Sequence, residues 1–233
     1  PKNYGVHAFL VPIRNKNDHS LLPGVTVGDC GMKVGLNSLD NGFLMFKDVR
    51  VPYDNLMDKF SSIDKEGNFQ SSVKSNNKRF AFLMGALGGG RLVVTKYSVI
   101  MLTNALTVAT RFAAGRRQFG APGTVESNIL EYPLTQYRLM PYLAELMAIN
   151  CGNYKLYQVW AQHQDQMFAE NDPLLTEVHA LTSSLKPISS WLAQQGTQEC
   201  RELCGGLGYS AYNRLGAYRE ENDINTTWEG DNN

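Results

Sequence analysis

The 233-residue sequence predicts an α+β protein in which a short β segment precedes a bundle of long antiparallel α-helices. Two observations lead to this fold class. The first part of the chain consists of short apolar runs separated by turn residues, which is typical of strands. The later part places apolar residues at helical spacing over three long segments. Hydrophobic residues make up 43% of the chain, which is enough to build a buried core.

Residues 1–60 are predicted to be the C-terminal part of a β domain. Pro12 closes the first apolar run, and Asn41-Gly42 is a strong turn signal ahead of the third. Three or four short strands are too few for a complete sheet, so we expect the other strands of this domain to precede them. The predicted strands are Val6–Val11, Val25–Val27, Phe43–Phe46 and Val49–Val51.

Residues 61–77 are rich in serine and asparagine and are predicted to be a polar linker to a helical domain at 78–233, which we expect to be truncated. The first helix is predicted from Lys78 to about Ala114, with an interruption at Gly88–Gly90. Each glycine inside a helix costs roughly 1 kcal/mol relative to alanine. The three glycines therefore indicate either a close approach by another group or a simple kink.

Two further long helices are predicted. The second begins near Tyr132-Pro133 and continues to about Phe168. The third begins at Asp172-Pro173, where the aspartate can cap the helix and the proline fits its first turn. It ends at Gly205-Gly206, and Pro187 is expected to bend it.

Charge and cysteine content narrow the function classes. Lysine plus arginine equals aspartate plus glutamate at 22 each, so the sequence gives no sign of a nucleic-acid or membrane partner. The longest charge-free apolar stretch, Tyr97–Thr110, is too short to span a membrane. Cys200 and Cys204 have no histidine nearby, so we expect buried thiols and no metal site. The few scattered cysteines indicate a reducing compartment.

The two ends are interpreted as cuts through a longer protein. The chain starts at Pro1, without a methionine, and its first residues are too polar for a secretion signal. It stops abruptly after Asp231-Asn232-Asn233.

Arg116-Arg117-Gln118-Phe119-Gly120 closes the first predicted helix and is the first candidate binding segment. Two adjacent arginines with a glutamine can bind a diphosphate through charge-assisted hydrogen bonds. Arginines at a helix C-terminus also complement the helix dipole. These residues alone therefore leave both interpretations open.

Two more segments carry candidate chemistry. Cys204–Tyr209 is rich in glycine, which lets backbone approach a flat or anionic ligand, but on its own the segment is better explained as a helix stop. Asn225–Asn232 places Glu229 between Trp228 and Gly230, so that a carboxylate lies where a ligand has room to approach. Taken alone, a glutamate such as Glu229 is more often a surface carboxylate than a catalyst.

In this order and spacing, the three segments resemble the acyl-CoA dehydrogenase and oxidase superfamily, and the resemblance covers the whole chain. The parts similar to the end of that family's middle β domain are Gly5–Arg14, Leu39–Gly42 and Val49–Pro52. The parts that favour the oxidase branch are Cys200–Glu202, Gly205–Ser210 and Trp228–Asn232. The parts most like the peroxisomal branched-chain (pristanoyl-type) acyl-CoA oxidases are Arg116–Gly120, Leu130–Pro133 and Asn213–Gly216. The resemblance implies an acyl-CoA dehydrogenase-like fold, with a β-barrel-like middle domain followed by the helical bundle.

The resemblance also implies site residues. Glu229 falls on the catalytic base, which takes the α-proton of an acyl-CoA thioester, and Gly230 falls beside the bound thioester. Arg91 falls on an active-site arginine near the base or the coenzyme A arm. The implied cofactor is FAD. The implied contacts with it are Arg116 and Gln118 at the diphosphate across a subunit interface, Gly205, Gly206 and Gly208 at the adenine end, and Asp231 and Asn232 after the base.

The implied function is the oxidation of fatty acyl-CoA to trans-2-enoyl-CoA in a peroxisomal homodimer, with oxygen reduced to hydrogen peroxide. One alternative is an acyl-CoA dehydrogenase that passes electrons to a partner flavoprotein. Another is a non-catalytic helical scaffold that binds acyl-CoA. The joint presence of Glu229, Arg116 and the glycine segment argues against the scaffold.

Overall fold

The chain folds into two compact units. The residues that the computed structural model describes are 2–57, 59–85, 87–164 and 174–233. The first unit comprises residues 1–33 and 37–86, and the second comprises residues 34–36 and 87–233.

The first unit contains an antiparallel strand pair. Strand β1 (Val25–Asp29) pairs with β2 (Gly42–Phe46), with Val25 opposite Phe46. Both strands lie where the apolar runs predicted them. Of the turn signal Asn41-Gly42, Asn41 directly precedes β2 and Gly42 is its first residue, as expected.

Two of the predicted strands are wrong. Val6–Val11 makes a single antiparallel bridge, between Phe9 and Leu56, and Val49–Val51 forms no strand. A strand needs a neighbour for its backbone N–H and C=O groups. Within the described part of the chain, the backbone of Val6–Val11 hydrogen-bonds only to the short segment around Leu56, which follows a 3₁₀ turn at Tyr53–Asn55.

The segment predicted as a linker, residues 61–77, has regular local structure instead. Strand β3 (Ser61–Ile63) pairs antiparallel with β4 (Phe69–Ser71). The Asp64 carboxylate closes the turn between them by accepting the backbone N–H of Asn68 at 2.7 Å. The polar residues thus form a hairpin turn, a role for which asparagine and aspartate are well suited.

Five α-helices follow in the described parts of the chain, with bounds α1 Asn76–Gly85, α2 Leu87–Gly115, α3 Pro133–Gln164, α4 Leu175–Leu203 and α5 Leu215–Asp223. The long predicted helices correspond to α1 with α2, α3 and α4, and α5 has no counterpart among the predictions. Helix α2 runs through Gly88–Gly90 without ending, and α4 likewise continues past Pro187. Phe168, Asp172 and Pro173 lie outside the described residues.

Helix α2 forms the centre of the second unit and packs against α3, α4 and α5. Ala105, Ala109 and Ala113 are fully buried at four-residue spacing, so one face of α2 is small enough for close helix packing. On α4, Gly196 accommodates the side chain of Leu102 in the same way. Cys200 is a buried free thiol in this core.

The stretch Asn76–Gly115 is long and apolar enough, by composition alone, to cross a membrane, with a mean hydropathy of 1.5 over its most apolar window. That stretch is longer than the Tyr97–Thr110 run singled out by the sequence. However, 56% of the window is buried inside the protein, as in the core helix of a bundle.

Candidate active site

Glu229 lies on a tight turn that follows α5. A 3₁₀ turn at Ile224–Thr226 extends the helix, and the backbone then turns at Glu229 and Gly230, with φ of 55° and 105°. Gly230 adopts such a φ without a steric penalty, whereas a non-glycine residue there costs on the order of 1–3 kcal/mol. The surroundings must therefore hold Glu229 in this conformation.

The Glu229 carboxylate packs against the backbone of α2 at Gly90. A Cβ atom added to Gly90 would lie 2.5 Å from Oε1 and 2.6 Å from Cδ of Glu229. At Gly88 and Gly89, the added Cβ would instead lie 2.7 Å and 3.2 Å from the indole ring of Trp160. The glycines in α2 therefore serve close approach, which is one of the two interpretations that the sequence left open.

Two cationic side chains donate to successive carbonyl oxygens of the turn. Arg91 Nε donates to the Glu229 carbonyl at 2.9 Å, and Arg91 Nη1 donates to Ser183 Oγ at 2.9 Å. Lys186 Nζ donates to the Gly230 carbonyl at 2.6 Å and to Asn232 Oδ1 at 2.7 Å. Helices α2 and α4 thus each hold one peptide group of the turn.

Lys186 is a buried cation, with 2% of the residue exposed. Burial lowers the pKa of its ammonium below the ordinary value, because the charged form loses its hydration. The negative charges of Asp231 and Glu229 oppose this lowering of the pKa, and the positive charge of Arg91 adds to it.

A buried polar network supports the turn from below. Asn225 and Asn222 are fully buried, and Asn225 Nδ2 donates to Asn222 Oδ1 at 3.0 Å and to Ser98 Oγ at 3.1 Å. The indole Nε1 of Trp228 donates to Asn225 Oδ1 at 2.9 Å. Because these buried groups are satisfied by one another, the network fixes the residue that precedes Glu229.

The two predicted site residues after the base are placed differently. Asn232 is partly buried, and its Nδ2 donates to Ser190 Oγ at 2.9 Å. Asp231 is exposed, and its carboxylate accepts hydrogen bonds from the backbone N–H and side chain of Asn233. These bonds lower the pKa of Asp231.

Four of the predicted cofactor residues, Arg116, Gln118, Gly205 and Gly206, lie together in a groove away from the Glu229 turn. The groove has a volume of about 350 Å³ and is also lined by Phe112, Ile129, Leu203, Cys204 and Leu207. Backbone hydrogen bonds fix its rim: Ile129 N–H donates to the Arg116 carbonyl at 2.9 Å, and Gln118 N–H donates to the Ser127 carbonyl at 3.0 Å. The end of α2 and the end of α4 meet at this groove.

The groove offers a cation and open backbone. Among the described residues, the Arg116 guanidinium makes no hydrogen bond or ion pair, whereas the neighbouring Arg117 donates to the Glu126 carbonyl at 3.1 Å. Apart from their own chain neighbours, no atom of the described residues lies within 4 Å of where a Cβ atom of Gly205 or Gly206 would be. Gly208 differs, because it is buried with the Arg201 carbonyl 1.9 Å from an added Cβ.

The Glu229 turn and the groove lie at opposite ends of α2. Gly90 and Arg91 contact the turn near the start of the helix, while the groove begins at Phe112 and Arg116. At a rise of 1.5 Å per residue, the 25 residue steps from Gly90 to Gly115 span roughly 37 Å. The predicted site residues therefore form two clusters.

Sequence reasoning missed Gly90, Lys186 and Asn225 as individual site residues. A signal for Lys186 was available, because it continues the buried face of α4 at four-residue spacing from Val178 and Thr182. A lysine on such a face is unusual and could have been singled out. The partners of Gly90 and Asn225 are more than 100 residues away or within a turn, and no spacing pattern indicates them.

The comparisons with known proteins agree on one family. Residues 84–233 match the acyl-CoA oxidase C-alpha1 domain. The chain is 44% identical to peroxisomal acyl-coenzyme A oxidase 3 of Homo sapiens, covering 99% of this chain and 34% of that protein. Similar solved structures include an acyl-CoA oxidase from Lycopersicon esculentum (tomato), with 36% identity, a TM-score of 0.88, and 99% and 35% of the two chains covered. Acyl-CoA oxidase-1 of Caenorhabditis elegans, solved in complex with FAD and ATP, has 31% identity, a TM-score of 0.85, and 99% and 33% of the two chains covered.

The helical bundle with its small strand pairs is an acyl-CoA dehydrogenase-like fold, as predicted. The chain belongs to the acyl-CoA oxidase family. It spans about a third of the length of the curated relatives it matches.

Proposed function

We propose that this chain carries the catalytic base and part of the cofactor site of a peroxisomal, FAD-dependent acyl-CoA oxidase. The reaction converts a fatty acyl-CoA to trans-2-enoyl-CoA and reduces oxygen to hydrogen peroxide. Support comes from the relatives, which include acyl-coenzyme A oxidases named as peroxisomal in Homo sapiens and Arabidopsis thaliana. The observation that carries the proposal is the Glu229 carboxylate, held on a strained turn against the backbone of α2.

Glu229 is proposed to remove the α-proton of the acyl thioester. That proton is only weakly acidic, so the reaction needs a positioned base and a donor for the thioester oxygen as it gains charge. The turn supplies the first, because Arg91 donates a hydrogen bond to the carbonyl of Glu229 and so fixes the backbone of the base. It also offers the second, because the backbone N–H of Glu229 donates to no acceptor among the described residues.

The groove at the end of α2 is proposed to bind the diphosphate and adenine side of FAD. The residues present fit this group. Arg116 is a cation with no protein partner in the described chain, and Gly205 and Gly206 present backbone that a flat ligand can approach. When bound, the flavin supplies the acceptor for the hydride that leaves the β-carbon.

The separation of the two clusters supports a homodimer. An extended dinucleotide cannot reach from the Glu229 turn to a groove that lies roughly 37 Å away along α2. We therefore propose that the groove of one subunit binds the FAD that serves the Glu229 turn of its partner. In this arrangement residues 1–60 end the middle β domain and residues 78–233 belong to the helical domain.

A spectroscopic titration tests the function. The FAD-loaded protein is mixed with a fatty acyl-CoA without oxygen, and the flavin absorbance near its visible maximum is followed. We expect the absorbance to bleach, and hydrogen peroxide to form in stoichiometric amount when air is admitted. Absence of bleaching contradicts the proposal, and bleaching that air does not reverse indicates a dehydrogenase.

A further inference from the structure

The strained turn at Glu229 depends on two cations, of which Lys186 has no role in the proposed reaction so far. Arg91 reaches the Glu229 carbonyl from α2, and Lys186 reaches the next carbonyl, that of Gly230, from α4. Among the described residues, the Lys186 ammonium donates hydrogen bonds to the Gly230 carbonyl and the Asn232 side chain and to no other group. It is therefore placed to act on the base through the turn.

Packing alone does not explain an ammonium at this place. Lys186 is almost completely buried, and burying a charge is costly unless hydrogen bonds compensate for its lost hydration. An apolar side chain of similar length would fill the same space without that cost. The benefit of the ammonium must then lie in its two hydrogen bonds, at 2.6 Å and 2.7 Å.

These bonds belong to a small hydrogen-bond network around the turn. Asn232, whose Oδ1 accepts from Lys186, donates from Nδ2 to Ser190 Oγ at 2.9 Å and from its backbone N–H to the Thr226 carbonyl at 3.1 Å. Ser190 lies one helical turn after Lys186 on α4. The residues that follow Glu229 are thus tied to α4 at two successive levels.

We propose that Lys186 is a positioning residue for the catalytic base, holding the Gly230 carbonyl so that the left-handed turn at Glu229 persists. The inference rests on the proposed function of Glu229. A non-glycine residue with φ of 55° returns to commoner backbone conformations unless its neighbours are held. Loss of the Lys186 bonds lets the turn relax and moves the carboxylate away from its place beside Gly90.

Hydrogen exchange of the turn tests this without any measurement of activity. Lys186→Met removes the charge and the donors but keeps the length of the side chain, and Lys155→Met is the control at an exposed lysine of α3. We expect the Asn232 amide of Lys186→Met to exchange about tenfold to a hundredfold faster, the factor for losing one charge-assisted hydrogen bond. Lys155→Met should exchange like the parent chain. Equal exchange in all three proteins overturns the inference.

Kinetics and stability then separate positioning from a structural role. In the FAD-loaded protein, Lys186→Met should lower kcat by about tenfold to a hundredfold with little change in KM, since the residue contacts the turn and no described part of the groove. Its melting temperature should change by no more than a few degrees, because removal of a buried charge offsets the loss of its two hydrogen bonds. Parallel losses of stability and activity contradict positioning.

A second substitution covers the case in which Lys186→Met does not fold. Lys186→Gln keeps one amide donor without the charge, and its exchange rate and kcat should fall between those of the parent and Lys186→Met. If Lys186→Met exchanges faster than the parent but the parent does not oxidise acyl-CoA, the proposed function alone is refuted. A parent that oxidises acyl-CoA, with unchanged exchange in both variants, would refute the role of Lys186 alone.

Discussion

The Glu229 carboxylate lies against the backbone of Gly90, 139 residues earlier in the chain, where any larger residue would displace it. An added Cβ would overlap both the carboxylate carbon and Oε1. The contact is made possible by a glycine in the middle of a helix turn, at a cost to helix stability of roughly 1 kcal/mol relative to alanine. The place of the base is therefore decided by a residue of another helix, α2, that has no side chain of its own.

Gly90→Ala should move the base and lower kcat/KM. A displacement of about 1 Å in a reacting group can cost up to about a hundredfold in rate, so we expect a loss between about tenfold and a hundredfold. Initial rates over a range of acyl-CoA concentrations, from below to above KM, measure it. Gly216→Ala is the matched control, because an added Cβ there would meet no described side chain or other segment within 4 Å. An unchanged kcat/KM in Gly90→Ala would show that the carboxylate does not act from this place.

Arg116→Gln should weaken FAD retention, and Arg117→Gln should not. The two arginines are adjacent, but the Arg117 guanidinium already donates to the Glu126 carbonyl, while Arg116 faces the groove. Loss of one charge-assisted hydrogen bond predicts an FAD dissociation constant about tenfold to a hundredfold higher. Equilibrium dialysis of the apoprotein with FAD measures the constant. Equal weakening in both variants would mean that general positive charge, and not the groove, binds the cofactor.

The stability of the second unit should fall between pH 10 and 12 because of Tyr97. Burial raises the pKa of Tyr97 to about 12, and its hydrogen bond to Glu221 at 2.7 Å adds to the effect. The unfolded chain loses this proton from about pH 10, while the folded chain retains it, so stability present below pH 10 is lost as the pH rises. Denaturation at several alkaline pH values should show a flatter decline for Tyr97→Phe. The same slope in parent and variant would contradict this assignment.

Two thiols should react in the native chain and four in the unfolded chain. Cys30 and Cys151 are exposed, whereas Cys200 and Cys204 are buried. Burial raises the pKa of the Cys200 thiol to about 12 and also raises that of Cys204, and the thiol form is a poor nucleophile. Titration with a thiol-specific chromogenic reagent, with and without denaturant, counts the reactive groups. Rapid modification of three or four thiols in the native chain would be inconsistent with this core.

The helices were predictable because their pattern is local. Apolar residues at helical spacing predicted α2, α3 and α4, with α4 ending directly before the Gly205-Gly206 stop. The strands were predicted less well, because a strand is defined by its partner. Val25–Val27 finds one in β2, while Val6–Val11 has the right composition and only a single bridge at Phe9.

The site was predictable where a motif carries it. The resemblance selected Glu229, and the structure brings Arg91 to its backbone and gathers Arg116, Gln118, Gly205 and Gly206 in one groove. Their roles stay predictions. The supporting residues were not predictable, because Lys186 and Gly90 act through contacts between helices that are far apart in the sequence.

The most direct test of the account is the replacement of Glu229 by glutamine, which keeps the shape of the side chain and removes its basicity. Stopped-flow measurement of flavin reduction by an acyl-CoA, without oxygen, follows the step in which the proton is removed. We expect Glu229→Gln to bind FAD normally and to be reduced about 10² to 10⁴ times more slowly, while Glu220→Gln on α5 behaves like the parent. Flavin reduction at the parent rate in Glu229→Gln would show that another residue is the base.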